Sequence, residues 1–161
     1  MVSITQTMAY ETIAHLNRHV HDVHVELYPL HFKPYQYEAV RDFFQSVIDK
    51  PQFIFLLLED EGQPIGYAWI ELKQYKESAF MKSYRSVFIH QISISNGHRN
   101  KGYGSIMMEY IEHLAQKNEI GIMELDYWAN NVFAAKFYEK NGFTVYRQFV
   151  YKNVATSYHS P

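Results

Sequence analysis

The sequence contains no cysteine, so a disulfide framework, a cysteine-based zinc site and a cysteine nucleophile are all excluded. It has no excess of positive charge. A formal net charge of -2 and the lack of any basic run argue against a nucleic-acid-binding surface. Long apolar runs are missing too. The longest, Phe53 to Leu58, is far too short to span a bilayer, so no membrane association is expected. No early segment has the length and flanks of a signal peptide. With no disulfides, the cytoplasm is the expected compartment.

What the chain does have is apolar and aromatic mass. Of its 161 residues, 47% are hydrophobic, and 14 tyrosines and 11 phenylalanines stand among them. That composition belongs to a packed globular domain and suits aromatic-lined sheet surfaces. One domain over residues 1–151 is expected, with a patternless, mobile tail from Lys152 to Pro161.

The informative stretch runs from Ile89 to Ser105. Ile92 and Ile94 alternate with Ser93 and Ser95, which is the period of a strand. Asn96-Gly97 signals a turn. After Arg99-Asn100-Lys101-Gly102-Tyr103-Gly104-Ser105, the residues Ile106, Met107, Tyr110, Ile111 and Leu114 recur at helical spacing. A strand therefore leads into a glycine-bearing loop that opens a helix. The first turn of a helix carries N–H groups without intrahelical partners and a partial positive charge. Glycine lets an anion approach the backbone, and Arg99 and Lys101 add full charge. This is a phosphate site, best matched to a pyrophosphate. The spacing Arg-x-x-Gly-x-Gly is neither a Walker A loop nor the dinucleotide fingerprint. On the motif alone, a helix start with glycines for close packing stays open.

A second block follows at Asn131-Val-Phe-Ala-Ala-Lys-Phe-Tyr138-Glu139-Lys140-Asn-Gly142-Phe143. Together the two blocks resemble the GCN5-related N-acetyltransferase (GNAT) superfamily, over about Gln52 to Tyr151. Asn100 departs from the resemblance, standing where the family usually has glycine. The resemblance implies an α/β (α+β mixed sheet) fold: a GNAT-like central mixed antiparallel/parallel sheet, splayed between its two central strands and flanked by about four helices. It implies acetyl-CoA as acetyl donor, with no metal. Direct transfer to a primary amine of a small molecule or peptide is expected. In such a fold Ile92, Ser93 and Ile94 hold the pantetheine arm through their backbone. Arg99, Asn100, Lys101, Gly102, Tyr103, Gly104 and Ser105 hold the pyrophosphate, and Asn131 and Tyr138 complete the cofactor contacts. The family's tyrosine faces the sulfur, which makes Tyr138 the candidate acid. His90 shares the alternation of Ile92 and Ile94 and is the first candidate base, since an imidazole titrates in the range general-base catalysis needs. Glu71 is the second. A homodimer would be in keeping with the superfamily. The alternatives are a CoA-binding sensor with little catalysis and a phosphate-ligand-binding domain.

The rest of the chain reads in order. A strand is expected at Val2 to Thr7 and a helix at Ala9 to about Glu26. That helix carries His15, His19, His21 and His24, taken as solvated or packed side chains. A proline-fixed connector contains Tyr28, Phe32 and Lys33, which are candidate substrate contacts or simple packing residues. A second helix covers Tyr37 to Ile48. Strands are expected at Phe53 to Leu58, Ile65 to Leu72, Phe80 to Ser95, Ile120 to Trp128 and Phe143 to Tyr151. Helices from Tyr103 to about Lys117 and from Asn131 to Lys140 fall between the later ones.

Overall fold

The computed structural model describes residues 1–155. The expected tail therefore lies outside the described residues from position 156 onward. The elements are β1 (Val2–Gln6), α1 (Tyr10–Leu27), α2 (Tyr37–Val47), β2 (Phe53–Asp60), β3 (Gln63–Tyr75), β4 (Tyr84–Ile94), α3 (Tyr103–Lys117), β5 (Met123–Leu125) and α4 (Val132–Lys140). The strands form one sheet in the order β1-β2-β3-β4-β5. The first four pair antiparallel, and β4 and β5 pair parallel. A mixed α/β sheet with four helices is thus the architecture.

Both faces of the sheet are covered, which is why β2 is apolar at consecutive positions instead of alternating. Leu56 and Leu58 face α3, where Met107, Met108, Ile111 and Ala115 meet them. Phe55 and Leu57 face α1 and α2, against Ile13, Leu16, Phe44 and Val47. Each such Leu, Ile, Val, Phe or Met side chain, fully buried, contributes about 1.5–3 kcal/mol.

Three strand boundaries differ from expectation. β3 continues through Tyr75 because Tyr75 stacks on Tyr84 across the β3–β4 pair, centroids 4.2 Å apart. β4 starts at Tyr84, since the preceding chain turns at Ser78, whose hydroxyl accepts from Phe80 N and Met81 N. β5 is only Met123–Leu125. One element is absent: Phe143 to Tyr151 makes no strand pairing, although its sequence reads as a strand.

Two irregularities fall at the same level of β4. Its pairing with β5 stops at Ile89↔Leu125, so the two strands part beyond that point. Its pairing with β3 skips one residue, going from Ile70↔Ile89 to Trp69↔Gln91, which makes His90 the bulged residue. A bulge adds one residue to one strand and exchanges the faces on either side of it. Val87 and Ile89 face α3 below it, and Ile92 and Ile94 do so above it. The expected alternation of His90 with Ile92 and Ile94 is therefore corrected. His90 stacks on Trp69, which packs with the α1/α2 cluster on the opposite face.

Candidate active site

The loop between β4 and α3 contains two left-handed residues and leads into a helix start with no side-chain cap. Asn100 lies at φ 61° and Gly102 at φ 84°, left-handed residues on either side of Lys101. Asn100 adopts the conformation that glycine would take there, as its short polar side chain allows. No side chain caps α3, and its first hydrogen bond runs from Ile106 N to the Gly102 carbonyl. The N–H groups of Tyr103, Gly104 and Ser105 precede that bond and are available to a ligand.

The side chains of the loop divide the work differently from the motif. Arg99 donates from Nε to the Ile94 carbonyl at 3.3 Å and from a terminal nitrogen to the His19 carbonyl at 3.1 Å. It ties the loop to β4 and α1, and only its remaining donors and its charge can serve an anion. Tyr103 donates to Asp60 at 2.7 Å, which fixes the start of α3 against the end of β2 and holds that carboxyl below its usual range. Gly104 is required by packing, because a Cβ there would sit 2.9 Å from the Phe137 ring of α4. Lys101 is exposed beside the helix start.

Where β4 and β5 part, candidate groups stand on both faces. On the α1/α2 face His90 Nε2 is 2.7 Å from Glu71 Oε2. The two base candidates thus form one bonded pair. An ionised carboxylate can only accept, so with His90 neutral the proton lies on Nε2 and the Nδ1 lone pair is free. Trp69, Phe53 and Phe88 enclose the imidazole, with centroids 4.4, 5.5 and 4.9 Å away. On the α3 face, Tyr138 of α4 packs with Phe137, Phe143 and Tyr127. Burial, helped by the charge of Asp126, pushes its phenol up to about 12. Asn131 caps α4, its Oδ1 accepting from Ala134 N at 3.1 Å.

Two groups here went unread in the sequence. Asn17 lies on the buried stripe of α1, where its Nδ2 donates to Tyr67 Oη at 2.9 Å and to Gln91 Oε1 at 3.2 Å. Tyr67 in turn donates to Gln91 at 2.6 Å. This triangle clamps the residue next to the bulge. A lone amide one helical turn after Ile13, on an otherwise apolar stripe, was its signal. Tyr67→Phe should lower stability by about 1–3 kcal/mol, because two amides lose a buried partner. Urea unfolding would read this as a lower midpoint at unchanged slope. The second group is Glu124 of β5, nearly buried, which accepts from Tyr84 and Tyr146. Burial raises its pKa, but the hydroxyls of Ser86, Tyr146, Tyr84 and Tyr75 outweigh it and hold the carboxyl below its usual range.

The helical histidines are packed, with His15 stacked on Tyr37 and His24 on Phe32. Among the described residues no three potential ligands gather around a metal position. Tyr28 and Phe32 pack on Trp128, and Tyr28 Oη accepts from Asn130 N at 2.8 Å. The α1–α2 connector is thereby tied to the connector after β5.

A two-faced sheet that opens between its parallel strands beside an uncapped helix start defines a mixed α/β architecture. The Acetyltransferase (GNAT) family model matches residues 18–143, and the chain belongs to that family. No curated protein matches it in sequence. Among solved structures, the F44R mutant of the BH1408 protein from Bacillus halodurans is similar at a TM-score of 0.88 and 22% identity, over 96% of this chain and 99% of the other. A structure described as a possible acetyltransferase from Clostridium difficile 630 gives 0.73 and 16%, over 96% and 99%. The aminoglycoside N-acetyltransferase AAC(6')-Iy in complex with CoA gives 0.71 and 15%, over 97% and 96%. At these identities the likeness is one of fold. No helix among the described residues is long and apolar enough to cross a membrane.

Proposed function

We propose that the protein is an acetyl-CoA-dependent N-acetyltransferase that transfers the acetyl group directly to a primary amine of a small molecule or peptide. One observation carries this reading: β4 and β5 part at Ile89 and Leu125, with the His90–Glu71 pair on one face of the sheet and Tyr138 on the other. A donor held from the α3 loop and an acceptor approaching from the α1/α2 face would meet at that gap. The family and the CoA-bound neighbour support the choice of donor.

In this reading the N–H groups of Tyr103, Gly104 and Ser105 bind the pyrophosphate, with Lys101 and Asn100 beside them. The backbone of Ile92, Ser93 and Ile94 serves the pantetheine amides as a strand edge. The bulge leaves backbone at His90 outside the β3–β4 ladder, where an N–H can hydrogen-bond the thioester oxygen as negative charge develops on it. An alkyl ammonium titrates at about 10 and must lose its proton first. His90 Nδ1 takes it, directly or through one water, while Glu71 holds the ring. The amine nitrogen then bonds to the acyl carbon, the carbon–sulfur bond breaks, and the electron pair leaves on sulfur.

Tyr138 acts on that sulfur. A generic thiol titrates at about 8.5, and the phenol stands at about 12. Complete transfer from phenol to thiolate would therefore be uphill by about 3–4 pKa units, or about 5 kcal/mol. Its contribution is a hydrogen bond to the developing thiolate, and the sulfur finally takes, directly or through water, the proton that the nitrogen of the tetrahedral intermediate must lose to become the amide.

Calorimetric titration with acetyl-CoA, followed by thiol release with a panel of amines, tests the proposal. Micromolar binding with amine-dependent turnover is the expected result. Binding without turnover would favour a CoA-sensing module. For the base, His90→Ala should remove or displace the acidic limb of the kcat/KM profile and cut kcat/KM about 100-fold. The sign follows from the role: a base must be unprotonated, so its protonation slows the reaction as pH falls. An unaltered limb in the variant would exclude His90.

A further inference from the structure

The sheet surface beside the proposed base carries a charge that the transfer reading does not use. The α1/α2 cluster covers this face as far as Phe53 and Trp69. Beyond them the face continues through Glu71 and Lys73 of β3 and through Phe88 and His90 of β4, with Glu71 opposite Phe88 and Lys73 opposite Ser86. Residues two apart on a strand share a face, so Lys73 stands on the side of Glu71. The surface is partly open. The side chains of His90 and Glu71 are 25% and 20% exposed, and Lys73 and Phe88 are half-buried.

Lys73 is held by rings. Its Nζ lies 4.8 Å from the centre of the Phe88 ring and 5.1 Å from that of Tyr75. Ring faces attract its charge, but they do not take its three N–H donors as the oxygens of an anion would. Among the described residues it forms no ion pair. Both carboxylates on this face are committed elsewhere. Glu71 is bonded to His90. Glu124, whose neighbours Met123 and Leu125 face α3, is nearly buried and accepts from Tyr84 and Tyr146. A half-buried ammonium without a counter-charge is a place for the anion of a ligand.

We propose that Lys73 determines specificity by binding a carboxylate of the acceptor, so that the acceptor class is a compact primary amine that also bears a carboxylate, as an amino acid does. This rests on the acetyl-transfer reading of His90. The spacing suits such a molecule. Phe88 stands between the two groups, 4.9 Å from the imidazole centre and 4.8 Å from Nζ, so the ammonium lies within about 10 Å of the imidazole. Hydrogen bonds of about 3 Å at each end leave room for a few methylene groups, and the Phe88 ring gives them an apolar surface. A second ammonium in place of the carboxylate would be repelled by Lys73.

Three acceptors test this: 4-aminobutanoate, butylamine and 1,4-diaminobutane, which end in a carboxylate, a methyl group and an ammonium. The readout is the ratio of their kcat/KM values, from thiol release. The carboxylate should outdo the methyl group by about 10- to 100-fold, the worth of one hydrogen bond to a charged group, and the diamine should come last. Lys73→Met should erase the first preference, and Lys73→Glu should place the diamine first. A wild-type ratio near one overturns the proposal, and so does a preference that survives Lys73→Met. A lysine with only a packing role would lower all three rates together and leave their ratios standing. Should none of the three be acetylated, calorimetric titration with 4-aminobutanoate in the presence of CoA decides. Binding that Lys73→Met weakens by about 10-fold or more upholds the anion site and counts against the transfer reading alone. No binding, or binding that the variant keeps, overturns the anion site.

Discussion

Gly102→Asp should weaken acetyl-CoA binding by 100-fold or more, to the limit of calorimetric detection, in a protein that still folds. Two effects add. At φ 84° any residue with a Cβ is strained, at about 1–2 kcal/mol, which alone is roughly 5- to 30-fold in affinity if the loop relaxes away from its binding shape. In the proposed complex a carboxylate would then face the pyrophosphate, and like charges at about 4 Å repel by about 1–4 kcal/mol near a protein surface. No atom lies within 4 Å of the added Cβ, so the fold has room for it. Gly102→Ala separates the effects and should lose about 10-fold, the backbone part only. If the aspartate variant bound acetyl-CoA within a few-fold of wild type, the loop would not be the pyrophosphate site.

Tyr138→Phe should lower kcat about 100-fold with little change in acetyl-CoA affinity. The substitution keeps the ring and its contacts with Tyr127, Phe137 and Phe143. On the proposed mechanism it removes a donor that acts only when charge reaches the sulfur, and the loss of one such donor costs about 10²–10³. The split between kcat and binding is what separates this role from packing. A purely structural tyrosine would lose stability and affinity together. Because the phenol stands near 12, wild-type kcat should show no basic limb from Tyr138 below about pH 11. A limb near pH 9 assigned to this residue, by its loss in Tyr138→Phe, would reject the hydrogen-bonding account in favour of a true acid.

Much of the framework was legible in the chain. The strand-to-loop-to-helix order from Ile89 to Ser105 follows from local periodicity and turn chemistry, and it appears at β4, the loop and α3. The cap at Asn131 and the helix after it were equally local. The active-site reading was less complete because its key events are pairings between distant residues. His90 and Glu71 were two separate candidates, and their hydrogen bond spans 19 positions. The triangle of Asn17, Tyr67 and Gln91 joins α1, β3 and β4. The first leaves no periodic trace, and the second leaves only a lone amide on the apolar stripe of α1.

The bulge illustrates the limit. Strict alternation put His90 on the face of Ile92 and Ile94, and one unpaired residue in β4 reversed that. The final strand is the opposite case. Phe143 to Tyr151 has strand composition, but a strand exists only where an edge pairs with it, and none among the described residues does.

By itself the sequence determined the elements whose cause is local: the apolar periods of the strands and helices, and the turn at Asn96-Gly97 that ends β4 before the loop. Only the tertiary structure decided which face His90 occupies, that Glu71 is its partner, that Arg99 holds the loop to α1, and that Phe143 to Tyr151 forms no strand with the described residues. Those outcomes depend on register and on contacts between residues far apart in the chain, and a strand that slips by one residue carries every later side chain to the other face.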